Sequence, residues 1–143
     1  MKRKYLLALA TLSVAILITA ASCSNGAQQQ QLESLASFLA DKGVKEFGGF
    51  WFPLCDEQKK IFGGAYEILA SRDVYIECDP RCVPDERGKL QTACRGEISH
   101  SDECLEKEIN GYPTWIFPDG KRLSGVQQPA ILAQASGCEF QST

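Results

Sequence analysis

The chain has 143 residues, 23% of them charged, seven cysteines and a formal net charge of −3. That length suffices for one core and excludes two of ordinary size. An acidic balance without a basic cluster or an internal repeat argues against nucleic acid as a partner.

The chain opens with Lys2, Arg3 and Lys4, followed by a mostly apolar run from Tyr5 to Ala21. A basic start, an apolar middle and small residues after it make a secretory signal by composition. Ala20-Ala21-Ser22-Cys23 looks like a lipobox, with Ala20 where leucine is favoured, so residues 1–23 read as a lipoprotein-type signal with lipid on Cys23. Ordinary cleavage or an uncleaved single span are the alternatives. Each places the remainder outside the cytoplasm, exported and membrane-tethered, facing a periplasm, a thylakoid lumen or the cell exterior. Removing residues 1–23 takes away three positive charges and no negative ones, moving the net charge from −3 to −6. Residues 24–31, polar and Gln-rich, read as a short tether, and 32–143 as the domain.

Leu32, Leu35, Ala36 and Leu39 fall at helical spacing, with Gly43 at the stop position. Residues 44–51 read as a buried strand containing Gly48-Gly49. Pro53 sits at the first position of the next helix, where its missing N–H is harmless, and Asp56 and Glu57 occupy the favourable first turn. Ile61, Phe62, Ala65, Ile68 and Leu69 give that helix its apolar face, and Gly63-Gly64 is its weak point. Val74 to Cys78 is a second strand. Residues 79–101 are polar, hold two prolines and two cysteines, and read as an excursion stapled by disulfides; 104–109 reads as a short helix. Trp115-Ile116-Phe117, a Pro118-Asp119-Gly120 turn and residues 122–126 form a hairpin signature. Pro129, Ile131, Leu132 and Ala135 give a last helix ending at Gly137. The order α, β, α, β, excursion, hairpin, α points to an α/β domain with a mixed sheet covered on both faces. Thioredoxin folds have this order.

Setting Cys23 aside leaves Cys55, Cys78, Cys82, Cys94, Cys104 and Cys138, an even number that suits three bridges in an oxidising compartment without fixing their connectivity.

Four segments in order carry a likeness: Gly49-Phe50-Trp51-Phe52-Pro53-Leu54-Cys55, Val74-Tyr75-Ile76-Glu77-Cys78, Glu103-Cys104 and Gly111-Tyr112-Pro113-Thr114-Trp115-Ile116. Together they resemble the thioredoxin-like domain fused to vitamin K epoxide reductase homologues of bacteria and plant chloroplasts. The likeness runs from about Leu32 to Gly137. It implies a thioredoxin fold, disulfide exchange with exported or lumenal proteins, and electron transfer to a membrane reductase. Here that reductase would have to be a separate partner, because nothing besides the signal is apolar enough to span a bilayer. The family's motif is Cys-x-x-Cys. This chain has Phe52 at the attacking position, and Cys55 matches the resolving one.

A dithiol motif works because a helix N-terminus favours a thiolate, the first sulfur attacks a substrate disulfide and the second resolves the mixed disulfide. A benzyl group at residue 52 removes both nucleophile and internal bridge. Cys55 then acts alone as a monothiol, pairs with another chain's cysteine, or is inert or structurally paired: the helix dipole favours its thiolate, while Asp56, Glu57 and burial beside Trp51 and Phe52 oppose it. The resemblance implies a cis proline at Pro113, with Tyr112 and Thr114 beside it, facing the motif and leaving backbone free for strand addition by an extended segment; a trans proline opening a strand is the plain alternative. It also implies pairing of Cys78 with Cys104, and a nested bridge between Cys82 and Cys94. A four-cysteine zinc site competes with these bridges, but it offers only one closely spaced pair. A redox relay through Cys82 and Cys94 is a further alternative. Cys138 has no counterpart. His100 reads as a solvated loop residue, and Trp51 and Trp115 as packing or rim residues. No cofactor or metal is implied. Three functions remain open: a degenerate domain binding a partner or client protein, a disulfide-exchange enzyme using Cys55 or the Cys82/Cys94 pair, and a purely structural lipoprotein domain.

Overall fold

The structure, a computed structural model, describes residues 26–140. The signal-type segment and Cys23 lie outside the described residues. The stretch read as a tether is helical from residue 26 onward: helix α1 covers 26–42. Glutamine has good helix propensity, and Gln29 donates to Glu33 one turn on, at 3.2 Å. Gly43, at φ 74°, ends α1, its N–H donating to the Ala40 carbonyl while the Val44 N–H donates to that of Leu39.

Strand β1 (Lys45–Gly48) is shorter than the reading of 44–51, because residues 49–52 form a turn closed by the Phe52 N–H on the Gly49 carbonyl at 3.0 Å. Helix α2 (Pro53–Phe62) stops where Gly63 takes a positive φ, and after a short 3₁₀ turn the chain resumes as α3 (Tyr66–Ser71). The Gly63-Gly64 pair divides what reads as one helix into two. Strand β2 (Tyr75–Glu77) leads into the excursion, whose regular structure is one 3₁₀ turn at Thr92–Cys94. Helix α4 (Ser101–Glu106) starts three residues earlier than the reading of 104–109. Asp102 and Glu103 suit its first turn, and the left-handed Glu108 prevents continuation to 109. Strands β3 (Thr114–Ile116) and β4 (Arg122–Ser124) form the hairpin, and α5 (Pro129–Ser136) ends at the left-handed Gly137.

The sheet order is β2-β1-β3-β4, with β1 and β2 parallel and the other two pairings antiparallel. This is the mixed sheet of a thioredoxin-like fold. Glu46 pairs with both Tyr75 and Trp115, and Trp115 with Leu123, so these four share one face. Phe47, Ile76 and Thr114 share the other. Buried residues of α1, α2, α3 and α5 belong to one apolar cluster containing Trp115, Phe62 and Leu132. The opposite face carries a smaller cluster of Phe47 and Ile76 with Cys78 and Cys104, covered by α4. Cys78 is bonded to Cys104 and Cys82 to Cys94, one bridge nested inside the other.

Candidate functional site

The turn at 49–52 delivers Trp51 and Phe52 to the surface immediately before α2, and Pro53 presets the first helical φ. The peptide bond between Tyr112 and Pro113 is cis, and the Pro113 carbonyl accepts from the Gly125 N–H at 2.8 Å. These two loops meet. The Phe52 ring lies edge-on between Trp51 and Tyr112, with centroids 5.4 and 5.8 Å apart and interplanar angles of 89° and 78°. Edge-to-face geometry of this kind is favourable beyond simple burial. Trp51 is 52% exposed and Leu54 40%. A shallow pocket of about 290 Å³ opens between Trp51, Phe52 and residues 109–112. Thr114 is buried just beyond, its hydroxyl donating to the Gly111 carbonyl at 2.8 Å.

Cys55, at the third position of α2, is unpaired and 1% exposed. Burial pushes its thiol up to about 11, an effect a hydrogen bond from the Gly49 backbone only partly offsets, and nearby Glu46 adds to it. At neutral pH this sulfur is a protonated thiol, a poor nucleophile. An added Cβ at Gly48 would lie 2.7 Å from the Tyr75 ring and 3.1 Å from the Cys55 sulfur, so the glycine is what lets all three pack together.

Beneath the sulfur lies a polar layer absent from the sequence reading. The Tyr66 hydroxyl donates to Glu46 at 3.0 Å and that of Tyr75 to Glu77 at 2.7 Å, with both carboxylates buried. Glu77 also accepts from the Asp79 N–H at 2.8 Å. The Lys59 ammonium sits over both phenol rings, 5.6 and 4.8 Å from their centroids. Burial raises Glu46 to about 8, against the smaller opposing effects of Tyr66 and Lys59, and its second oxygen has no partner. Gln58, also buried, accepts from the Gln127 N–H at 2.7 Å and donates to the Gln127 carbonyl at 3.0 Å, fastening α2 to the segment before α5. The available signal was an acid inside each apolar strand run: a buried carboxylate demands partners, and Glu46 and Glu77 break the pattern of β1 and β2.

Of the other residues singled out, Trp115 is wholly buried and His100 exposed, its ring 4.0 Å from Glu103. Cys138 is a free thiol behind α5, part of the cluster around Trp115. No group of three or more metal-ligating side chains occurs among the described residues, and the cysteines of the alternative zinc set are consumed in bridges. No helix among the described residues is long and apolar enough to cross a membrane.

The chain is 36% identical over 104 residues to the Arabidopsis thaliana protein named Thiol-disulfide oxidoreductase LTO1, a match covering 73% of this chain. This is a thioredoxin-like domain. It spans about a quarter (24%) of the length of the curated relative it matches. No family model matches the chain. As a relative of a thiol-disulfide oxidoreductase, the thioredoxin-like domain has a single cysteine at its helix start, and that sulfur is buried and protonated.

Proposed function

We propose that this chain is an exported thioredoxin-like protein with a degenerate Phe-x-x-Cys site that binds an extended segment of a client or partner protein. The Phe52 ring, wedged between Trp51 and Tyr112 where a nucleophilic sulfur would stand, carries this reading. The exposed Trp51 ring, with the partly buried Phe52 and Tyr112 rings beside it, offers apolar contact, and the backbone at the cis proline offers strand pairing. Burial of Cys55 speaks against its use as a monothiol. In this reading lipid on Cys23, or an N-terminal anchor, holds the domain at a membrane, and a separate membrane reductase is one candidate partner.

The test uses a reduced, carboxymethylated polypeptide, which cannot refold, as the binding probe. Binding is expected to be followed by Trp51 fluorescence and to weaken roughly tenfold or more in Tyr112→Ala. Phe52→Cys is expected to bring thiol–disulfide exchange from background to a measurable rate, because it supplies the missing nucleophile at a helix start. Equal binding by parent and Tyr112→Ala would reject the surface. Exchange by the unmodified chain at the rate of Phe52→Cys would favour the enzyme reading instead.

A further inference from the structure

Three rings line one open pocket at the aromatic surface. Trp51, Phe52 and Tyr112, with Ile109, Asn110 and Gly111, surround a space of about 290 Å³. The Phe52 plane stands at 89° to that of Trp51 and at 78° to that of Tyr112, so the rings wall the space and do not stack flat to close it. Two of them come together over one residue: a Cβ on Gly49 would touch the Trp51 indole nitrogen and the Tyr112 ring, each at 3.5 Å. Aromatic rings gathered around a common space suit a cation, because a ring face carries negative charge density.

The surroundings favour a positive charge and supply none of their own. Cations of the chain sit over Phe38, Tyr66, Tyr75 and Phe50, and among the described residues none sits over Trp51, Phe52 or Tyr112. Arg81 and Arg95, near the motif, are each matched by a carboxylate: Arg81 by Asp79 at 2.9 and 2.7 Å, Arg95 by Asp56 at 3.7 Å. Lys107 lines a different pocket, with Glu103 and Arg122. Glu57, one turn along α2 from Leu54, and Glu108, directly before Ile109, are exposed and stand in no ion pair among the described residues. The Tyr112 phenol is raised first by burial and then by Glu77 and Asp79, whose charges are thus felt at the pocket wall. Asn110 donates its amide nitrogen to the Glu108 carbonyl at 3.0 Å, which leaves its amide oxygen as an acceptor.

Resting on the binding function proposed above, we infer that the pocket takes a cationic side chain, lysine or arginine, presented by an extended segment that is basic at the point of contact. The aliphatic stem of such a side chain packs against Ile109 and the rings, and its charged head meets the ring faces and the Asn110 amide oxygen. Removing residues 1–23 leaves the chain at −6, so the approach of a basic segment is favoured from a distance as well. A neutral side chain of equal length gains the burial without the charge attraction. An acidic one meets the field of Glu57, Glu77, Asp79 and Glu108 and is disfavoured.

Calorimetry on the full-length chain compares the acetylated, amidated peptide Gly-Thr-Val-Lys-Val-Thr-Gly with the same peptide carrying norleucine in place of lysine. The lysine peptide is expected to bind roughly tenfold more tightly, and tetramethylammonium chloride to displace it. A purely apolar pocket gives the opposite order, because norleucine is the more hydrophobic side chain. Trp51→Leu and Tyr112→Leu each keep an apolar wall without an aromatic face, and each is expected to reduce the lysine preference to roughly threefold or less. Equal or tighter binding of the norleucine peptide overturns the inference and leaves the binding function standing. Failure of both peptides while the carboxymethylated polypeptide binds has the same meaning, and failure of all three removes the binding function too. A full lysine preference in both leucine variants also overturns the inference, since the attraction then comes from the carboxylates and not from the rings.

Discussion

The surface of the site and its floor follow opposite rules. At the surface, Trp51 and Leu54 are exposed, the rings of Phe52 and Tyr112 lie partly buried beside them, and none of the four titrates near neutral pH. Below them, Glu46, Tyr66, Tyr75 and Glu77 bury acids and phenols near the protonated Cys55 sulfur. Binding by rings alone needs no such layer, whereas thiol chemistry benefits from buried groups able to hold a proton. The contrast teaches that the aromatic surface and the polar layer beneath it are packed by different elements of the chain. The floor is built into the sheet, and its residues answer to the core; the surface residues sit in the two loops at its rim.

Four substitutions sharpen this contrast. Trp115→Ala, in the core on the floor's side of the sheet, is expected to cost ~3–5 kcal/mol of unfolding free energy in denaturant titrations. Glu46→Gln is expected to abolish most of a pH dependence. The folded chain holds the Glu46 proton up to about 8 whereas the unfolded chain releases it near 4.5. Stability therefore falls as pH rises between those values and levels off above them, by roughly 5 kcal/mol in all. Titrations at pH 5, 6.5 and 8.5 read the slope, which Gln flattens; Glu97, raised in the same direction but only half-buried, leaves a smaller residue. Gly48→Ala drives a methyl group against Tyr75 and the Cys55 sulfur and is expected to lose ~1–3 kcal/mol. Trp51→Ala, at the exposed rim, is expected to cost only ~1 kcal/mol, the loss of its edge-on contact with Phe52, while removing the fluorescence response to a bound polypeptide. A large destabilisation by Trp51→Ala would break the division between surface and floor.

Much of the fold was legible from local chemistry. Pro53, Gly43, Gly137 and the Pro118-Asp119-Gly120 turn mark ends that backbone sterics impose wherever they occur, and the structure ends its elements there. The α1 start was misread because Gln-rich sequence is polar in composition yet helical in propensity, so composition outweighed propensity. The α4 boundaries slipped because a six-residue helix has too few turns to show a period, and its end depends on the left-handed backbone of Glu108. At the site, the meeting of residues 52 and 112 came from a likeness of motifs; no periodicity brings together two loops sixty residues apart in the chain. The acid floor escaped notice because a buried carboxylate and an exposed one are the same letter until the strand register assigns a face.

The uneven dressing of the sheet has a consequence for how the molecule matures. Four helices clothe one side, while the other relies on a six-residue helix fixed by the link between Cys78 and Cys104. Apolar residues on that second side gain durable cover only once the link is made. The bridge is thus part of what covers this side of the sheet. A chain synthesised under reducing conditions would be dressed on a single side, with Phe47 and Ile76 under a lid that nothing covalent keeps shut.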